Sequence, residues 1–206
     1  IGTSKVTGGA TSYALLSYFG KANYAYDNRY LASVTLRYDG SSRFGKNNRF
    51  GTFPAFSLGY RISEEAYMEK TREWLSDLKL RFGWGQTGNQ ETANTAVHTL
   101  YVTDYGMGDP TWTSLNGTSY DLTGKGGTSL PSGYKKVQQG NPDLKWETTT
   151  QTNIGLDFGF FDQKLYGTAE YYIKKTKDIL VQPPYLGIIG EGGYCWYNGA
   201  SMENKG

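Results

Sequence analysis

Few stretches of this chain combine the residue types and spacing that chemistry requires. Gly83-Trp84-Gly85-Gln86-Thr87-Gly88 has the G-x-G-x-x-G spacing of a dinucleotide-binding turn. The stretch before it carries Lys79 and Arg81 on one face, whereas the strand leading into a nucleotide loop is apolar on both. No β-α-β rhythm surrounds it, so the glycines read as small residues where a strand ends. His98 is the single histidine and Cys195 the single cysteine. Both lie in loop-like sequence, far apart, without the ligand cluster a metal needs or the third group that orients a Cys–His nucleophile. No catalytic residue, metal or cofactor is expected.

Charged and aromatic side chains are the remaining candidates. Arg37, Asp39, Arg61, Lys79, Arg81, Glu147, Asp157 and Glu170 fall on one face when the sequence is read every second residue. Glu147, Asp157 and Glu170 either touch a solute or pair with cations on neighbouring strands, and cross-strand pairing is the commoner use of such acids. Arg37, Asp39 and Arg43 read in the same way, as a network that anchors a loop. Tyr101, Tyr105, Trp112 and Tyr120 stand in a long irregular stretch. Their flat rings suit an apolar solute face or a protein partner, and the sequence does not separate the two.

The elements that must position these groups are strands. Tyr30, Ala32, Val34, Leu36 and Tyr38 share one face; Leu31, Ser33, Thr35, Arg37 and Asp39 share the other. After a Gly-, Ser- and Arg-rich segment the pattern restarts, with Pro54, Phe56, Leu58, Tyr60 and Ile62 opposite Phe53, Ala55, Ser57, Gly59 and Arg61. This period of two predicts a hairpin with an apolar and a polar face. A half-buried soluble sheet alternates in the same way. Tyrosines at both ends of the first apolar run, and a length near the 9–11 residues that cross a bilayer on a tilt, favour a membrane wall.

Six strands are expected, over residues 12–24, 30–39, 52–62, 78–84, 146–160 and 165–173. Phe19 is an exception on the polar face of the first. Trp146 is expected on the apolar face of the fifth. Residues 64–70 are expected as a short helix with Ser63 as N-cap, and the tail from Gln182 as loop. Connections alternate between short and long, the rhythm of a transmembrane barrel with short periplasmic turns and long extracellular loops.

Composition fits. Apolar residues make up 37% and aromatics 16% of the 206, with 28 glycines and 18 tyrosines. No run of about 18 apolar residues exists, which excludes a transmembrane helix and leaves a barrel open. A net charge of +2 gives no reason to expect nucleic acid.

Several stretches are similar to signatures of the SusC/RagA family of TonB-linked outer-membrane transporters. They are Leu36-Arg37-Tyr38-Asp39-Gly40-Ser41-Ser42-Arg43-Phe44-Gly45, Phe53-Pro54-Ala55 leading to Gly59-Tyr60-Arg61-Ile62-Ser63-Glu64-Glu65, Trp74-Leu75-Ser76-Asp77-Leu78-Lys79-Leu80-Arg81 with Trp84-Gly85-Gln86-Thr87-Gly88-Asn89, and Asn141-Pro142-Asp143-Leu144-Lys145-Trp146-Glu147. Asn204-Lys205-Gly206 resembles the family's lead-in to another strand. The resemblance implies a barrel of about 22 strands in outer-membrane lipid, a plug energised through TonB, and a SusD-like surface lipoprotein as hinged lid. It also implies a glycan or peptide cargo and a dimer of transporter–lipoprotein pairs. Six strands cannot close without leaving unpaired backbone in lipid. Residues 1–206 are therefore expected to be part of one barrel domain, with the plug and TonB box outside them. The alternatives are a soluble carbohydrate-binding β-sandwich, which would bury Leu36, Phe56, Leu58 and Leu156, and a secreted enzyme, which would need converging carboxylates.

Overall fold

The computed structural model describes residues 10–102, 135–183 and 193–206. In chain order the strands are β1 (Leu15–Tyr26), β2 (Tyr30–Ser41), β3 (Phe50–Arg61), β4 (Leu75–Asn89), β5 (Leu100–Val102), β6 (Lys135–Gln138), β7 (Glu147–Phe160), β8 (Leu165–Val181) and β9 (Tyr197–Lys205). β5 and β6 pair with each other; the other seven form one antiparallel meander in sequence order. Meander strands run from 9 to 17 residues, well above the usual five or so of a soluble sheet and enough to cross a bilayer on a tilt.

The register carries the alternation across the wall from β1 to β8, with shifts confined to Leu75/Asp77 in the β4–β7 pair and to residues 176–180 in the β8–β9 pair. Ala22, Val34, Phe56, Trp84, Thr152 and Ile173 stand in one row, each paired with the next. The adjacent row is Asn23, Ser33, Ser57, Gly83, Asn153 and Tyr172. A shift by one residue in any pair would put charges among the apolar rows, so the pattern itself fixes the pairing.

Three expectations are corrected. Residues 62–74 hold two 3-10 turns, Ile62–Glu64 and Ala66–Thr71, in place of a helix over 64–70. Glu65 between them is extended, at φ −74° and ψ 146°, because its carboxylate is drawn back to Arg29, Tyr30 and Tyr60. Ser63 caps nothing; its hydroxyl donates to Asp77 Oδ1 at 3.3 Å. The tail is not loop throughout, since Tyr197–Lys205 pairs with β8 as a seventh meander strand. Its Asn-, Gly- and Ser-rich sequence has no apolar alternation, and cross-strand pairs such as Lys175–Glu203 at 3.0 Å accompany the pairing. Trp146 lies just before β7, buried, and not on the apolar face.

The short connections cluster at one end. Asp27 and Asn28 adopt φ of 49° and 53° there, as do Phe161, Asp162 and Gln163 at 52°, 53° and 64°. Asp and Asn tolerate this left-handed backbone cheaply; Phe does not, and its ring packs 6.5 Å from Phe160. The chain leaves β2, β4 and β8 at the other end, where residues 42–49 and the described parts of the β4–β7 and β8–β9 connections lie. The buried core lies there, formed by Phe44, Phe53, Ala96, Leu144, Trp146 and Leu180, and not between two layers.

Candidate functional site

The candidate site is the wall itself, with its two faces and its loop end. On the apolar face Leu36, Phe56, Leu58 and Leu156 are 52%, 38%, 52% and 36% exposed. Among the described residues no second layer covers them, contrary to a sandwich. Tyr30 stacks on Tyr60 at 5.1 Å toward the short-turn end, and Tyr38 on Phe50 at 5.0 Å toward the loop end. From Tyr30 to Tyr38 the strand rises about 27 Å at ~3.4 Å per residue. Tilted by about 40°, that is roughly 21 Å, close to the ~25 Å apolar band of a transmembrane barrel with its aromatic girdles. Beyond the band, toward the loops, the same face turns polar in the row Gln86, Thr150, Lys175 and Glu203.

The opposite face holds the charges. Arg81 sits 2.8 Å from Asp157 Oδ2 through Nε, donates to Oδ1 at 2.9 Å through Nη2, and lies 3.9 Å from Glu170. Thr168 donates to Asp157 at 2.9 Å and Asn153 to Glu170 at 2.7 Å. Gly155 leaves room for this arginine: a Cβ there would come within 3.0 Å of Arg81 Nη2. Arg61 stands opposite Lys79, and Lys79 opposite Asp157. Arg37 Nε lies 2.8 and 2.6 Å from the two carboxylate oxygens of Asp39. Glu147 accepts the Leu180 N–H at 3.3 Å. Tyr101 is exposed on β5; Tyr105, Trp112 and Tyr120 lie outside the described residues. His98 is exposed in a loop, and the Cys195 thiol is buried beside the Trp196 carbonyl at 3.7 Å. Gly83, Gly85 and Gly88 lie within β4 with no following helix. A Cβ on Gly88 would overlap the Phe53 ring and one on Gly85 would crowd the Ala55 Cβ, so packing accounts for these two glycines, whereas a Cβ on Gly83 would meet nothing within 4 Å.

At the loop end the described parts of three connections pack into one cap. Arg43 is buried with its guanidinium over the Tyr13 ring at 4.2 Å, and it binds Asn94 at 2.8 Å, the Gln90 carbonyl at 3.2 Å and Glu91 at 3.3 Å. Asn48 donates to the Asp143 carbonyl at 3.0 Å. Trp146 packs against Phe44 and Phe53 at 5.2 and 5.4 Å and donates to the Arg49 carbonyl at 3.1 Å, which satisfies its one polar atom. Asn198 clamps β9 to the start of β7. It accepts from the Lys145 N–H at 3.0 Å and donates to the Lys145 and Asp178 carbonyls at 2.8 Å. Sequence reasoning missed Asn198, because one asparagine in polar sequence carries no signal.

At the short-turn end Glu65 accepts Tyr30 at 2.7 Å, Tyr60 at 3.1 Å and Arg29 at 3.1 Å. The Tyr30 hydroxyl foremost, then Tyr60 and Arg29, hold the Glu65 carboxyl below its ordinary value against partial desolvation.

A family model described as TonB dependent receptor-like, beta-barrel matches residues 3–206. The TonB-dependent receptor SusC of Bacteroides thetaiotaomicron is 42% identical over 203 residues, which is 96% of this chain and 18% of that protein. A TonB-dependent receptor of Formosa agariphila is 36% identical over 199 residues, 96% of this chain and 17% of its own length. Among solved structures, the RagAB peptide transporter matches with a TM-score of 0.75 at 31% identity, over 94% of this chain and 19% of that one. The siderophore receptor PirA of Pseudomonas aeruginosa, at 15% identity and a TM-score of 0.56, shares the fold. The chain thus spans about a fifth of the length of the proteins it matches. With one face built for lipid, the other for water and the loops gathered at one end, the chain belongs to the TonB-dependent receptor β-barrel family, as a section of a SusC/RagA-type outer-membrane barrel wall.

Proposed function

We propose that the protein containing this wall imports a nutrient oligomer, glycan or peptide, across the outer membrane. In this reading it works with a SusD-like surface lipoprotein as lid, and energy arrives through TonB acting on a plug encoded outside residues 1–206. The step is conformational gating without covalent chemistry, and two transporter–lipoprotein pairs associate as a dimer. The observation that carries the reading is the cap. The described parts of three connections, packed on a buried core, give a rim on which a lid can seat, above a polar inner face along which a solute can pass. The two-faced register and the kinship with SusC and with the RagAB transporter support it.

The test is to purify the full-length polypeptide from the outer membrane through an affinity tag, identify what co-purifies, and delete its gene. A co-purifying surface lipoprotein, and loss of growth on one oligomeric nutrient but not on its monomer, is the expected result. A full-length chain found in the soluble fraction, or unimpaired growth on every oligomer, would end the proposal.

A further inference from the structure

On the lipid-facing side of the wall, two apolar grooves lie toward the short-turn end. One, of about 350 Å³, is lined by Tyr30, Ala32, Leu58, Tyr60, Leu80 and Phe82 among others. The other, of about 400 Å³, is lined by Trp74, Leu78, Leu156, Phe158 and Phe160 among others. Leu78 and Leu80 are successive outward residues of β4, so the grooves are neighbours, about 7 Å apart along that strand. The strands β2, β3, β4 and β7 each have both neighbours within the described wall. The grooves are therefore not the product of a cut edge, and they face away from the lumen.

Polar groups gather where the grooves meet the short-turn end. The connection over 62–74 leans outward there: the Tyr67 hydroxyl lies 3.3 Å from that of Tyr60, and Trp74 stacks on Phe160 at 6.0 Å. Glu65 takes Tyr30 and Tyr60 on Oε1 and Arg29 on Oε2. A carboxylate has about four acceptor positions, so one is open to a further donor. The connection is acidic on balance, with Glu64, Glu65, Glu69 and Glu73 against Lys70 and Arg72. Arg72 is held by Glu64 at 3.4 Å, and Arg29 by Asp27 and Glu65. This surface matches an ammonium group: Glu65 accepts its N–H, and the Tyr67 ring, 67% exposed, receives its charge. An anionic headgroup would meet the excess of acids instead.

We infer that this corner of the wall binds one phosphatidylethanolamine molecule of the periplasmic leaflet, with its ammonium at Glu65 and Tyr67 and one acyl chain in each groove. Aromatic residues at a membrane interface ordinarily anchor a wall without choosing a lipid. Here they surround a carboxylate, which adds a preference for one headgroup. The bound lipid would span β2, β3, β4 and β7 and tie the 62–74 connection to them. The inference rests on the membership of the barrel family and is independent of the cargo.

The test uses the full-length protein, delipidated in detergent and titrated with phosphatidylethanolamine, phosphatidylcholine or phosphatidylglycerol of identical acyl chains, with bound lipid counted by native mass spectrometry. Phosphatidylethanolamine should bind about threefold or more tightly than the other two, as expected for a partly exposed carboxylate–ammonium contact and a cation–π contact. Glu65→Gln should erase that preference, and Tyr67→Ala should reduce it. Ala32→Leu fills the floor of the first groove with a residue suited to lipid, and should weaken all three lipids alike. Heat-modifiable migration on gels checks that each variant is folded. Equal binding of the three lipids, a preference for phosphatidylglycerol, or a preference untouched by Glu65→Gln and Tyr67→Ala would overturn the inference. So would self-association that Ala32→Leu abolishes, since a second copy would then cover the grooves. None of these results bears on nutrient-dependent growth, whose loss or persistence decides the import reading separately.

Discussion

Gly45 lies against the carbonyl oxygen of Pro142, so close that a Cβ at position 45 would overlap that oxygen. The two residues come from connections separated by β3 and β4, and their contact places Phe44 beside Leu144 and Trp146 in the buried core. Backbone cannot yield as a flexible side chain can. Gly45→Ala should therefore cost about 1–3 kcal/mol through overpacking, read as a lowered denaturant midpoint of the purified barrel. Gly20→Ala, where a Cβ meets nothing within 4 Å, is the matched control and should change little.

The register predicts an asymmetry between adjacent residues. Arg placed at Val34 or Leu58, both more than half exposed on the apolar face, should cost about 2–4 kcal/mol near the bilayer midplane. Arg placed at Ser33 or Ser57, one residue away on the inner face, should be tolerated. Folded fraction after reconstitution into lipid vesicles measures both. Equal tolerance at the two sets would contradict a lipid-facing surface.

Trp146 joins the cap core to the β2–β3 connection through its ring and its N–H. Trp146→Ala should cost about 3–5 kcal/mol. Trp146→Phe keeps most of the packing and leaves the Arg49 carbonyl without its donor, for about 1 kcal/mol. Limited proteolysis of residues 42–49 is the sensitive readout, with cleavage rising in the order wild type, Phe, Ala.

Glu65 gives the short-turn end a pH dependence of known sign. Its carboxyl is held below the ordinary value of 4.5, chiefly by the Tyr30 hydroxyl. The folded wall therefore favours the ionised form more than the unfolded chain does. This contribution is fully present above about pH 5 and is lost as pH falls below 4.5 toward the lowered value. Hydrogen exchange of the 62–74 connection, compared between pH 6 and pH 3.5, should show faster opening at the lower pH in the wild type. Glu65→Gln should narrow that difference.

Most of the wall was legible from alternation, because a period-two pattern survives wherever both faces of a strand have distinct solvents. Val34, Phe56 and Ile154 announce their face without help from any neighbour. β9 was not legible: with Asn198, Gly199 and Ser201 it has no face of its own and takes its strand from β8. The short helix over 64–70 failed for a related reason. Its acids resembled a first helical turn, but Glu65 is used by residues on β2 and β3, which local sequence does not reveal. Among the charges, the contacts of Arg81 with Asp157 and Glu170 needed the register as well as the face. Trp146 looked like the first residue of a strand and is the last of a loop, one position that separates a lipid-facing ring from a buried one.

The cap also sets an order in time. Phe44 precedes β3 and Leu180 follows most of β8, yet they meet in one core, and the Asn198 clamp needs the start of β9. Contacts so distant along the chain close only after the strands between them have paired. The cap is therefore a readout of the wall: Phe44, Leu144 and Leu180 can share one core only where the strands between them are paired in register.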